Sequence, residues 1–344
     1  MITHGKGLSW SRPATLLALA AVATGCGARD AVAPRLAAEG KVSAQLGPFA
    51  TWSPAVRIEA AWPGADPSFN TPFLDGCPAS SRDGKTFFLA TNRPDSHGIS
   101  HGIDIYASRR ESVDDPWGEP VRLAEPINSE SNDFCPMPAR DGHEFFFVSN
   151  RPGGCGGDDI YVTRFRDHGA IDTPQNLGCD VNSVGNEAGP VPITEPGRGP
   201  VLYFSSTRAG GFTSEPLGAT TGDADLYSSE WKGGHYQAPT AVQGVNSAQE
   251  DAQPYIERDA LELYFFSTRP GGEGAQDIWM AGRARAHDAW SAPVNLGDNV
   301  NTAAAETRPS LSWDGTTLYF GSTRTTGESN IYVSSRNRVA GHHN

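Results

Sequence analysis

Pro309-Ser-Leu-Ser-Trp-Asp-Gly-Thr-Thr-Leu-Tyr-Phe-Gly-Ser-Thr-Arg324, followed shortly by Asn330-Ile-Tyr332, is the stretch that decides the fold. Segments related to it carry Arg93, Arg151, Arg208 and Arg269, so the unit recurs at intervals of 58, 57, 61 and 55 residues. Repetition at such periods reads as one array of supersecondary units rather than two separate domains. Within each unit an apolar run occurs: Thr86 to Ala90, Glu144 to Val148, Val201 to Phe204, Leu261 to Phe266 and Thr317 to Phe320. Runs this continuous do not suit a strand with one face in water. They suit strands covered on both faces, which stacked blades provide.

The turns follow from the same unit. Asp-Gly at 83, 141 and 314 is the signal for a two-residue hairpin, whereas Glu195 to Gly199 and Glu257 to Asp259 lack it and predict a different turn. After its Arg, each chain segment crosses a loop and re-enters as Asp104-Ile-Tyr106, Asp159-Ile-Tyr161, Asp225-Leu-Tyr227, Asp277-Ile-Trp279 or Asn330-Ile-Tyr332. A hairpin sets the end of one strand opposite the start of the next. That predicts partly buried, bidentate structural pairs: Arg93 with Asp104, Arg151 with Asp159, Arg208 with Asp225, and Arg269 with Asp277.

A fourth strand per unit is read at Trp117 to Leu123, Thr173 to Leu177, Tyr236 to Val242 and Trp290 to Leu296. The last unit ends at Arg336 without one, and an unused copy stands at Trp52 to Ile58. The expectation is an all-β fold: a single five-bladed β-propeller of four-stranded blades over residues 51–336, with the N-terminal strand closing the last blade. Residues 337–344 then form a tail.

The combined pattern Asp-Gly-x-x-Leu-Tyr-Phe-x-Ser-x-Arg followed by Asp-Ile-Tyr resembles the propeller repeat of the periplasmic TolB-like proteins, over roughly residues 52 to 336. The resemblance implies a repeat class, not a function, because propellers of this type serve as scaffolds, as gating domains of peptidases and as enzymes.

Residues 1–25 read as an export signal, with Lys6 and Arg12 before the apolar core Ala14 to Thr24. Ala23-Thr-Gly-Cys26 resembles the lipobox of bacterial lipoproteins, which implies lipidation of Cys26 as the first mature residue. Gly27 after it implies sorting to the outer membrane. Residues 26–50 then form a tether between lipid and folded domain. The expected address is a lipid-anchored position in the periplasm or at the cell surface. Removing Lys6 and Arg12 from the 27 basic residues leaves 25 against 40 acidic ones, a mature charge of −15. Such a surface repels nucleic acid and anionic headgroups, so membrane contact is expected through the lipid alone, and a monomer is the expected state.

Three residues before each inner-strand Pro stands an acid: Asp75, Asp133, Glu187, Asp251 and Glu306. Around a propeller axis these five form a candidate ring, able to hold an axial calcium or to serve a carbohydrate-active site. The competing reading gives them structural work, as caps of backbone N–H groups or partners of Arg, and glycoside hydrolysis needs two carboxylates in unequal roles that five equivalent acids do not display. No cofactor other than that calcium is expected, and no metal at His97 and His101, whose loop lacks further ligands. The long loop Ala209 to Ala224, with Phe212 and Leu217, is a candidate recognition element. A disulfide is expected between Cys155 and Cys179, and a second is open between Cys77 and Cys135. The leading expectation is a non-catalytic recognition or scaffold module for an envelope protein or polysaccharide. The alternative is a carbohydrate-active enzyme or sugar-binding protein using the acidic mouth.

Overall fold

The computed structural model describes residues 51–95, 97–166, 170–212 and 221–337. The signal segment, Cys26, the tether and Leu217 lie outside the described residues. The chain enters with β1 (Val56–Arg57), a four-residue helix (Ile58–Ala61) and a short turn of 3-10 helix (Pro67–Phe69). Blade one then follows as β2 (Asp75–Ser80), β3 (Thr86–Thr91), β4 (Asp104–Arg109) and β5 (Val121–Arg122). Blade two is β6 (Asp133–Pro138), β7 (Glu144–Ser149), β8 (Asp159–Arg164) and β9 (Gln175–Asn176). Blade three is β10 (Glu187–Glu195), β11 (Gly199–Arg208) and β12 (Thr221–Lys232), whose outer edge carries both β13 (His235–Tyr236) and β14 (Thr240–Ala241). Blade four is β15 (Asp251–Ile256), β16 (Glu262–Ser267), β17 (Asp277–Gly282) and β18 (Val294–Asn295). Blade five is β19 (Glu306–Leu311), β20 (Thr317–Ser322) and β21 (Asn330–Ser335), completed by β1.

Closure by the N-terminal strand is therefore as expected: Val56 pairs with Val333 and Arg57 with Tyr332. A proline stands one or two residues before β1, β5, β9, β14 and β18, at Pro54, Pro120, Pro174, Pro239 and Pro293, and cannot donate to a ladder, which keeps these outer strands to two residues. All sheets are antiparallel.

The apolar runs do what their continuity predicts. Phe87, Phe145, Phe147, Phe204, Phe265 and Phe320 have no exposed surface. Five main apolar clusters fill the five spaces between neighbouring blades, and the space between blades five and one holds Ile58, Phe69, Phe87, Trp117, Tyr319 and Ile331. A ring with every interface filled has no open sheet face.

One repeated residue was not singled out by the sequence reading. Asn70, Asn128, Asn182, Asn246 and Asn301 each clamp both backbone groups of the apolar residue that opens a third strand; Asn128, for example, accepts from Ile105 N–H at 2.8 Å and donates to its carbonyl at 2.8 Å. Its signal is present five times, as an apolar residue, Asn and Ser or Thr, with the Asn five residues before each inner-strand acid.

Two turn expectations need correction. In blade one the Ser81 carbonyl accepts from Gly84 N–H at 2.9 Å, and Ser81 N–H donates to Thr86 O at 2.8 Å, so the connection Arg82–Lys85 has four residues. Gly84 takes φ +67 after the turn rather than at its centre, and Arg82 is carried to the tip. Blade four forms the same turn with Ala260 at φ +63 where the others have Gly, whereas blade three alone extends its strands to Glu195 and Gly199.

Candidate functional site

The inner strands β2, β6, β10, β15 and β19 surround the axis, and each breaks register in its middle. The cause is a residue of positive φ followed by a proline. Cys77, Cys135, Gly189, Gln253 and Arg308 lie at φ +48, +47, +59, +51 and +57, and Pro78, Pro136, Pro190, Pro254 and Pro309 follow them. Proline cannot extend the ladder, so the strand bulges there. The ten residues narrow the channel to a waist enclosing a cavity of about 30 Å³.

On the loop side of the waist stand the five acids, all fully buried. They do not open onto the channel. Asp75 accepts from Thr71 N–H at 2.6 Å, from its hydroxyl at 2.7 Å and from Arg93 at 2.6 Å; Asp133 repeats this with Ser129 and Arg151. Asp251 is held by Ser247 and Arg269, and Glu187 and Glu306, one methylene longer, take in addition the hydroxyls of Ser206 and Ser322. Every acid is thus spent on a loop N–H, a hydroxyl and an arginine. Among the described residues no group of three or more His, Cys, Asp and Glu stands at metal-ligand spacing.

These contacts overturn the expected arginine pairs. Arg93 binds Asp75, not Asp104; Arg151 binds Asp133, not Asp159; Arg208 binds Glu187, not Asp225; Arg269 binds Asp251, not Asp277. The reason is register: Asp104 faces Thr91, two residues before Arg93, so the arginine lies past it, over the Tyr106 ring at 5.2 Å. Its tip then reaches the innermost strand. Asp104 finds its bidentate partner in Arg122 of the outer strand, at 2.7 and 2.8 Å. Asp159, Asp225 and Asp277 instead accept from loop N–H groups of Cys155, Phe212 and Glu273. The second oxygen of each of these three is buried without a partner. Burial pushes the Asp225 carboxyl up to about 6.

His97 and His101 both turn to Asp95. Cys155 bonds to Cys179, and Cys77 to Cys135 across adjacent inner strands, with Cα atoms 5.4 and 4.8 Å apart.

The opposite mouth has another character. It is lined from all five blades, by Ala79 to Arg82, Met137 to Arg140, Val191, Tyr255 and Leu311 to Trp313 among others. The four-residue turns deliver Arg82 and Arg140 to the Trp313 indole, with guanidinium carbons 4.8 and 5.5 Å from the ring centre. Arg140 also donates to the Ile256 carbonyl at 3.0 Å, and burial lowers its pKa. Neither arginine has a carboxylate at ion-pair distance among the described residues, though Glu257 and Asp259 attract Arg140 from farther away. Nearby, burial reinforced by Asp259 pushes Glu257 up to about 7. A larger groove of about 520 Å³ lies at the outer edge of blades two and three beside Trp231, but its Arg164 and Arg166 are already paired with Glu144 and Asp172 at 2.6 Å. The axial mouth therefore presents two arginines that no described carboxylate holds at ion-pair distance.

No protein-family model matches the chain, and no curated protein matches it. Solved structures do. An α-L-arabinofuranosidase from Lactobacillus brevis is similar over 79% of this chain and 94% of its own, at TM-score 0.52 and 9% identity. An endo-arabinase from Bacteroides thetaiotaomicron is similar over 76% and 94%, at TM-score 0.51 and 12% identity. A protein described as a putative TolB from Agrobacterium tumefaciens is similar over 80% and 78%, at TM-score 0.45 and 17% identity. At such identities the likeness to the two arabinan-named enzymes is one of fold.

Proposed function

We propose that the protein is an exported recognition propeller of the bacterial cell envelope, lipid-anchored through Cys26, that binds an anionic segment of an envelope polysaccharide or protein at the Arg82–Arg140–Trp313 mouth without chemistry of its own. One observation carries the reading. The five acids that glycoside chemistry would need are each buried and bonded to an arginine, while two arginines at the other mouth share one indole with no carboxylate at ion-pair distance among the described residues.

Two guanidinium groups brought to one indole keep N–H donors that an anion at this mouth can accept from. The indole reduces the motion lost on binding, because the cations are already placed. In a chain of net charge −13, a local basic mouth also steers an acidic ligand to one place.

Binding of polygalacturonate and of poly-glutamate, followed by calorimetry at two salt concentrations, tests this. Arg82→Gln with Arg140→Gln is expected to weaken the better ligand about tenfold or more and to flatten its salt dependence. Undiminished binding by the double variant removes the mouth from the reading. Release of reducing ends from a polysaccharide by the wild type, lost in Asp133→Asn, puts an enzyme in its place.

A further inference from the structure

Of the five bulge residues at the waist, Cys77, Cys135, Gly189 and Gln253 carry no charge and Arg308 carries one. Arg308 is half-buried; its Nε is buried without a hydrogen bond, and no described carboxylate pairs with its guanidinium. The nearest acids in sequence and across the blade boundary, Glu306 and Asp75, are turned away and bonded to Arg324 and Arg93. Burial accordingly lowers the pKa of Arg308 with no opposing charge to raise it. A cation left in this condition costs the folded state free energy, and a protein retains such a group where something binds to it.

Three further features fit the same place. Arg308 holds φ +57, the left-handed region that favours glycine, where the equivalent residue of blade three is Gly189. Opposite it, Gly76 of blade one leaves the space the side chain occupies: a Cβ at Gly76 would stand 3.1 Å from the Arg308 Nη1. Gln253 is also short of partners, its amide oxygen buried without a donor and its amide nitrogen reaching only Sγ of Cys135 at 3.7 Å. Half a turn of that amide exchanges oxygen and nitrogen.

We propose that the waist is a carboxylate site, in which Arg308 donates in bidentate fashion to the two oxygens and the Gln253 amide donates to one of them. The waist is lined by the bulge residues, their prolines and Met137, so Arg308 and Gln253 share one constriction of the channel. The fork of the guanidinium matches the planar head of a carboxylate. The carboxylate belongs either to a small free acid or to the end of a longer ligand lying along the axis. The site stands whether or not the Arg82–Arg140 mouth binds a partner.

Thermal unfolding with sodium formate replacing sodium chloride at constant ionic strength tests it, with sodium hexanoate as the second arm. In the wild type, formate is expected to raise the melting temperature by about 2–5 °C and to saturate. A response to hexanoate but not formate supports the site and assigns it to the end of a longer chain. Arg308→Met, and Arg308→Gln should the first not fold, are expected to melt higher than the wild type in chloride and to lose the response; Arg82→Gln with Arg140→Gln keeps it. Carbon-13 formate should broaden on wild type and not on Arg308→Met. A wild type indifferent to both acids overturns the proposal, as does an Arg308 variant that responds like wild type. An Arg308→Met protein less stable than wild type in chloride shows a structural partner for the guanidinium and overturns it too.

Discussion

The arginine at the end of each blade's second strand or just beyond it serves the innermost strand of its own blade, and the energetic consequence is one-sided. Arg151 neutralises Asp133 inside the protein and also donates to the Ile127 carbonyl at 2.6 Å. Arg151→Met therefore leaves a buried carboxylate uncompensated, and chemical unfolding is expected to show a loss of about 3–5 kcal/mol. Because Arg269 has the same surroundings, Arg269→Met should lose a similar amount; a much smaller loss at either would mean that the acid there is reached by water. Asp225 and Glu257 each add a pH-dependent contribution to stability. Their folded-state values, about 6 and about 7, lie above the unfolded carboxylate range, so the native protein binds more protons there than the unfolded chain. Stability from these two groups is then greatest near pH 4 and declines as pH rises, through 6 for Asp225 and through 7 for Glu257. Asp225→Asn keeps an acceptor for Phe212 N–H and removes the penalty. It is expected to gain on the order of 2 kcal/mol at pH 8 and little at pH 4, and equal gains at both would place the effect outside titration.

At the scale of the element, the turn on the hairpin side joins local conformation to the site, since it sets where Arg82 and Arg140 project. Gly142 takes φ +77 with nothing within 4 Å of where a Cβ would stand. Gly142→Ala thus costs only backbone strain, about 1 kcal/mol by thermal unfolding, while Gly102→Ala, whose Cβ would meet the Asn132 side chain, should cost more. The strands themselves were legible in the sequence because burial on two faces leaves an unbroken apolar run, and the closing strand was legible because a repeat array with an orphan strand at each end has one economical solution. The bulge was not, since nothing local in Cys77, Gln253 or Arg308 signals positive φ; the following proline was seen but read only as a marker. The arginine partners were misread for a related reason: cross-strand order was right, but an arginine two residues beyond the last pair reaches over the next strand's aromatic ring rather than toward its acid. The mouth is not legible in the sequence because Arg82 and Arg140 stand there as ordinary turn residues beside Asp-Gly, with nothing local to show that they converge on Trp313.

The whole molecule depends on a contact between residues near opposite ends of the described chain. Blade five lacks an outer strand until Val56–Arg57 supplies it, and the seam is strengthened at three further points. Ser53 N–H donates to Ser335 O at 2.8 Å, Trp52 packs beneath the Arg336 guanidinium at 4.5 Å, and Asn70 clamps Ile331. Beginning the chain at Glu59 removes Trp52 and Ile58, both buried, together with the last strand pairing. Loss of two large apolar side chains alone amounts to about 5 kcal/mol or more, comparable with the whole stability of many domains. The truncated protein is therefore expected to melt much lower or not to fold, and a peptide of residues 51–62 added to it should restore part of the loss, because every other interface of the ring is unchanged. Hydrogen exchange locates the effect: protection should fall first in β21, which loses its edge partner, and then in β2 across the seam. Equal stability of full-length and truncated chains, or loss of protection beginning in blade three, would mean that the ring is held shut elsewhere.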